Sequence, residues 1–203
     1  KNKAPNELTL CLIDEQKSKR KGGLYHKTQV QLAYNSNRIE GSKLTEEQTR
    51  CIFETRSIGF KDQEAVCVDD IIETTNHFIA FDYLLQSLQE PLNEGIIKDF
   101  HRIIKPGQAD AQKAWFRVGD YKKLANEVGG RETAAPANVS QEMNALHEWY
   151  HSQSEVSLHT LAEYHWRFER IHPFQDGNGR VGRLILFREC LRHSIVPFVI
   201  ANE

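Results

Sequence analysis

No C-x-x-C pair joins the four cysteines, Cys11, Cys51, Cys67 and Cys190, so the chain spells neither a zinc ribbon nor a redox dithiol. Thiols this widely spaced in 203 residues are expected to be reduced and structural, which points to a reducing compartment, the cytoplasm. Long apolar runs are missing too. Leu8 to Ile13 is short and interrupted by Thr9, so it does not read as a secretory h-region, and no stretch is apolar enough to suggest a membrane span. Neither sign of charge dominates: 26 Lys and Arg face 28 Asp and Glu, for a net charge of −2 and a pI near 6.5. That balance excludes the electrostatic footprint of a nucleic-acid or anionic-membrane binder, and any polyanion bound is expected to be small. The one basic run, Lys17, Lys19, Arg20 and Lys21, suits a solvated helix end. Repeats and low-complexity tracts are absent. The breaks at Gly22-Gly23, Pro106-Gly107, Gly129-Gly130 and Ala134 to Ala137 are too short for linkers, so residues 1–203 are expected to form one domain.

What the chain does contain is helical periodicity. Ile71, Ile72, Thr75, Phe78, Ile79, Leu85 and Leu88 follow the i, i+3, i+4 rule, as do Leu158, Leu161, Ala162, His165 and Phe168. Asp69 or Asp70 is expected to cap the first of these helices, and Ser140 to open another that runs to about Ser152. Shorter patterns cover Leu8 to Arg20, Leu24 to Glu40, Thr45 to Glu54 and Asn93 to Ile104. The expected fold is all-α with at most one β flap, a hairpin between Phe116 and Val128 turning around Gly119 and Asp120.

The chemistry concentrates in His172-Pro173-Phe174-Gln175-Asp176-Gly177-Asn178-Gly179-Arg180-Val181-Gly182-Arg183, between the Leu158 helix and an apolar run containing Leu184, Leu186, Phe187 and Leu191. Pro173 disfavours the α region before it, so the incoming helix should stop at His172 and present that imidazole at a loop mouth. Gly177 and Gly179 flank Asn178 and allow successive N–H groups to face one point, where the next helix adds the positive end of its dipole. Arg180 and Arg183 are i, i+3 neighbours in its first turn, a poor place for two cations unless an anion is bound there. Asp176 beside such a site makes sense if a divalent cation such as Mg²⁺ bridges carboxylate and phosphate. Phe174 reads as the apolar plug of the loop. The bland alternative, a turn that only caps a helix, does not account for base, anion nest, carboxylate and paired arginines together.

At every fixed position these residues match the H-P-F-x-[DE]-G-N-G-R-x-x-R motif, and the chain resembles the Fic domain family over about residues 69–202. The resemblance implies a Fic-type helical bundle with a small β-hairpin flap. It also implies an adenylyltransferase that moves AMP from ATP onto a Tyr, Thr or Ser hydroxyl of a target protein (AMPylation), with pyrophosphate released. By that likeness His172 is the general base and Asp176 the Mg²⁺ ligand, with Mn²⁺ as the substitute ion. Gly177, Asn178 and Gly179 are the anion hole, Arg180 a phosphate-site residue, and Arg183 the ligand of the ATP γ-phosphate. A hairpin flap that docks the target is expected with Tyr121, Lys122, Lys123 and Leu124 at its tip. A homodimer and self-AMPylation are further expectations.

Ser36 and Glu40 share a helix face at i, i+4, and Gly41 suits a left-handed C-cap. A carboxylate in a last helical turn opposes the dipole unless a cation pairs with it. The segment resembles the [ST]-x-x-x-E-[GN] inhibitory motif of Fic proteins, which implies that Glu40 pairs with Arg183 and that the helix at about 24–41, within N-terminal helices spanning 8–54, inhibits the domain in cis.

Three other readings compete. Transfer of UMP, phosphocholine or phosphate is compatible with the same fold, and so is a catalytically silent interaction module. His147-Glu148-Trp149-Tyr150-His151 also fits H-E-x-x-H, the zinc metalloprotease helix, with Glu163, His165 or Glu169 as the third ligand it requires; the competing reading is a polar helix face with Trp149 and Tyr150 packed inward.

Overall fold

Among the described residues eight α-helices are wrapped so that the last of them forms the axis. The computed structural model describes residues 5–59 and 65–201; Asn202, the final residue of the expected core, lies outside the described residues. In chain order the helices are α1 (Glu7–Ser18), α2 (Leu24–Ile39), α3 (Glu46–Thr55), α4 (Val68–Gln86), α5 (Glu94–Ile104), α6 (Val139–His151), α7 (Leu158–Ile171) and α8 (Asn178–Arg192). Two short antiparallel strands, β1 (Glu127–Val128) and β2 (Arg131–Glu132), lie between α5 and α6.

Helix α8 is buried on nearly every side, and it packs against α2, α4, α5 and α7. A helix enclosed this way should be apolar all round, yet it carries three buried arginines. Arg188 is wholly buried, and its guanidinium reaches Ser87 Oγ at 2.9 Å, the Glu90 carbonyl at 2.7 Å, the Ser87 carbonyl and the Glu189 carboxylate. It therefore ties the end of α8 to the turn after α4. Arg180 and Arg183 serve the other end, where the site lies. The main core draws on every layer, from Leu12 and Tyr25 through Phe81, Phe100 and Phe168 to Val181 and Leu191; Ala33, Leu44, Ile52 and Phe78 form a smaller cluster under α2 and α3.

Helix α2 starts at Gly23 without a cap of its own. The buried Glu15 carboxylate of α1 supplies one, accepting from Tyr25 N–H at 2.8 Å. A Cβ on Gly23 would stand 2.4 Å from that carboxylate, so a larger residue there would push the cap aside. At the other end Glu40 is the C-cap and Gly41, at φ +99°, turns the chain away as expected.

Three local expectations are corrected. Helix α4 is entered at Cys67; Asp69 and Asp70 stand in its first turn and reach outward instead, to Ala109 N–H at 3.2 Å and Lys43 N–H at 2.9 Å. Helix α6 begins after Asn138 rather than at Ser140. The hairpin turns at Gly129-Gly130, both with positive φ, because a two-residue hairpin connection of the primed type needs that geometry at both positions. Gly119 (φ +75°) serves another purpose, donating its N–H to His101 Nδ1 at 2.8 Å. Among the described residues no helix is long and apolar enough to cross a membrane, and all four cysteines are unpaired.

Candidate active site

The bend between α7 and α8 is held from five directions. Helix α7 stops at Ile171, and His172 takes the left-handed conformation (φ 52°) with its N–H on the Phe168 carbonyl; Pro173 bars continuation. Phe174 is fully buried and stacks on His101 at 4.0 Å between ring centroids. The Asn178 amide closes the loop on itself, accepting from Phe174 N–H at 2.8 Å and donating to the Phe174 carbonyl at 2.9 Å. Asn126 donates to the same carbonyl at 3.1 Å, and Lys122 N–H to the Pro173 carbonyl at 2.9 Å. Because His101 Nδ1 accepts from Gly119, its Nε2 carries the proton and donates to the Asp176 carbonyl at 3.0 Å. Burial pushes His101 down to about 3, so this contact stays neutral.

This accounting separates the two parts of Asn178. The Asn178 side chain is consumed by the loop, so only its main-chain N–H is available to an anion. Asn178→Ala is expected to lose roughly 1–3 kcal/mol of stability, because it strips a buried N–H of its acceptor; urea denaturation would measure the change.

The first internal bond of α8 runs from Val181 N–H to the Gly177 carbonyl, so the N–H groups of residues 178–180 lead the helix with no i−4 partner of its own. This is the positive end of the α8 dipole. Arg183 lies one turn in, nearly buried. Its Nε donates to Ser36 Oγ at 2.9 Å and its Nη2 to the Ser36 carbonyl at 2.9 Å and to Glu40 Oε1 at 2.5 Å. The Glu40 carboxylate also presses on Gly179, where an added Cβ would lie 2.3 Å from Oε1. A carboxylate thus sits in the notch at the head of α8, a place shaped for an anion.

Asp176 Oδ2 meets Lys105 Nζ at 2.5 Å and Arg180 at 3.2 Å. Burial works to raise the Asp176 carboxyl, but Arg180, Lys105 and the Gly177 N–H outweigh it and hold it below the usual carboxylate range. Arg180 is braced in turn by Glu73 of α4. Among the described residues no three His, Cys, Asp or Glu side chains are grouped to hold a metal. A lone carboxylate does fit Mg²⁺, which takes most of its remaining ligands from water and nucleotide phosphates.

His172 stands at the mouth with its side chain 17% exposed. Burial, and then the Lys122 ammonium, depress its proton affinity, so the imidazole is neutral near pH 7. Lys122 does not sit on a flap tip. It is buried, with Nζ on Thr133 Oγ1 at 2.6 Å, Asn126 Oδ1 at 2.7 Å and the Ile171 carbonyl at 3.4 Å, so it caps the end of α7; burial pushes it down to about 8. Tyr121 is buried as well, against Phe174, while Lys123 and Leu124 are exposed and the Leu124 N–H binds Gln175 Oε1 at 3.2 Å. Tyr121 and Lys122 of the expected tip therefore brace the loop from beneath, Lys123 and Leu124 stay exposed beside it, and the hairpin itself turns at Gly129 and Gly130.

The H-E-x-x-H helix is not a zinc site in this structure. His151 Nε2 is engaged by the Leu92 carbonyl at 2.9 Å, the two histidine rings are 6.3 Å apart, and Glu163 is bound to Arg167. His165 and Glu169 face Gly182 of α8 instead. Tyr150 packs inward with its hydroxyl on Glu189 at 2.6 Å.

The geometry thus joins His172, Asp176, Gly177, Gly179, Arg180, Arg183, Ser36 and Glu40. It adds His101, Lys105, Glu73 and Asn126, which pattern reading passed over; their common trait, a polar group set among apolar positions, does not separate them from solvated residues.

Residues 91–189 match the Fic/DOC family. Protein adenylyltransferase Fic of Drosophila willistoni is 30% identical over 175 residues, 84% of this chain and 33% of that protein. The protein of the same name from Nematostella vectensis is 29% identical, covering 82% of this chain and 38% of its own length. The chain therefore spans about a third of the length of the curated relatives it matches. A Fic domain containing signaling protein from Bacteroides thetaiotaomicron superposes with a TM-score of 0.75 at 26% identity, over 96% of this chain and 76% of that one. Fic-1 from C. elegans shares the fold, with a TM-score of 0.68 at 19% identity, over 96% of this chain and 59% of that one. With loop motif, helical architecture and sequence relatives in agreement, the chain belongs to the Fic/DOC family.

Proposed function

We propose that this chain is a protein adenylyltransferase that uses ATP to AMPylate a hydroxyl of a target protein in a reducing compartment, and that its own α2 holds it in check. One observation supports the reading above all: a neutral imidazole, His172, stands beside a helix N-terminus whose anion notch is flanked by Arg183 and filled by the Glu40 carboxylate. In this reading the target oxygen forms a bond to the α-phosphorus, the bond from that phosphorus to pyrophosphate breaks, and the hydroxyl proton passes to His172. The leading amides of α8 with Arg180 and Arg183 hold the polyphosphate, so catalysis is positioning plus charge stabilisation. Asp176 is the residue that would hold Mg²⁺, which would neutralise phosphate charge when bound with nucleotide. While Glu40 occupies Arg183, the γ-phosphate has no ligand there and ATP is held in a pose unsuited to attack.

Incubation with ATP labelled at the α-phosphate is expected to leave label covalently on protein, while ATP labelled at the γ-phosphate leaves none. Label from the γ-position would indicate phosphate transfer, and none from either nucleotide with Glu40→Gly would point away from ATP, to UMP or phosphocholine transfer or to a silent interaction module.

A further inference from the structure

Glu169 lies three residues before His172 on α7 and has no part in the mechanism above. Its carboxylate turns toward α8, where a Cβ on Gly182 would stand 2.5 Å from Oε1; His165, one turn earlier, lines the same notch at 3.0 Å from that point. Glu169 Oε1, His165 Nδ1 and His172 Nδ1 are all buried without a hydrogen-bond partner. Oε2 stands 4.0 Å from His172 Nδ1, and the Glu169 main-chain carbonyl also acts on that ring, favouring its protonated form. Three unsatisfied polar atoms around one notch, next to the proposed base, call for a reason.

The charges around the notch come from several elements. Arg183 of α8 attracts the carboxylate and Glu40 of α2 repels it. Arg170 of α7 and Arg131 and Glu132 of β2 border the groove into which Glu169 opens, and Lys122 faces His172. None of these pairs with Glu169 Oε1.

We propose that Glu169 is a positioning residue for His172: its carboxylate accepts the Nδ1 proton, leaves Nε2 as the base, and stabilises the imidazolium formed when the target proton arrives. This rests on the transferase reading. In the step the hydroxyl O–H bond breaks and its proton goes to Nε2, the oxygen bonds the α-phosphorus, and the bond to pyrophosphate breaks. Glu169 keeps its charge throughout, and His172 returns the proton to solvent. The 4.0 Å gap exceeds a hydrogen bond, as catalytic contacts commonly do before substrate is bound.

The pair makes a distinctive pH dependence. Burial raises Glu169 to about 7, against the pull of Arg183 and with the repulsion of Glu40, so the carboxylate ionises near neutrality. Activity then needs Glu169 ionised and His172 neutral, and its acid limb belongs to the coupled pair. Glutamine at 169 keeps the shape and removes one of those two requirements.

The test uses the Glu40→Gly protein as parent, with Glu169→Gln and Glu169→Asp added. Glu169→Gln is expected to lower kcat at least about tenfold, short of the ~10²–10⁴ of the base itself, with KM for ATP unchanged and the acid limb moved to lower pH. Glu169→Asp should restore part of the rate. Independently of turnover, ¹⁵N NMR titration of His172 should give a lower pKa in Glu169→Gln than in the parent. Unchanged kcat, acid limb and His172 titration would overturn the proposal and leave orientation to the main-chain carbonyl. A parent without transfer activity would instead count against the transferase reading, and the NMR titration would still decide the role of Glu169.

Discussion

Transfer of α-label is expected to rise about 5–150-fold when Glu40 is replaced by glycine, the range of an ordinary coupling free energy between two sites. The reason is geometric. Arg183 spends one bond on Glu40 and two on Ser36, and the Glu40 carboxylate lies against Gly179 at the head of α8. A nucleotide phosphate and the Glu40 carboxylate would compete for one cation and one set of amides. Glycine removes the competitor and leaves the Ser36 contacts to keep the guanidinium in place. Initial rates at saturating ATP would check this, and an unchanged rate would remove the inhibitory role while leaving the transferase reading intact.

The second large effect is a loss. In the Glu40→Gly background, His172→Ala is expected to cut kcat by ~10²–10⁴-fold, the usual worth of a positioned general base. The KM for ATP should hardly change, because the loop is fastened by Phe174, Asn178 and His101 and not by the His172 ring. Loss of kcat alone therefore identifies a proton acceptor. A parallel loss of ATP binding would mean that the bend itself had collapsed.

Much of this site was legible because its parts are contiguous. Twelve residues from His172 to Arg183 hold the proposed base, the bend and both arginines, and glycine and proline there constrain the backbone whatever surrounds them. Glu40 was legible for a different reason: a carboxylate in a last helical turn is electrostatically misplaced and demands a cation from elsewhere. The helices were found from periodicity, to within a residue or two at most ends. What could not be read were polar residues whose partners are distant in sequence. Lys105 ends α5 just before Pro106, where lysine suits solvent, yet it is buried on Asp176 some seventy positions away. Lys122 misled in the same manner, since a lysine in an irregular segment is taken as exposed until Asn126, Thr133 and the Ile171 carbonyl are seen to satisfy it. The hairpin was misplaced because Gly119-Asp120 and Gly129-Gly130 are equivalent turn signals by composition, and only tertiary contact with His101 separates them.

The contrast between His101 and His172 has one more consequence. The first is pinned so far toward its uncharged form that mild acidification leaves it as it is, while the second faces the mouth and can take up a hydrogen ion. In the proposed transfer, scaffold and reagent are thus entrusted to different rings, and the chassis around the reacting atoms would keep its shape through a cycle in which its neighbour is repeatedly charged and discharged.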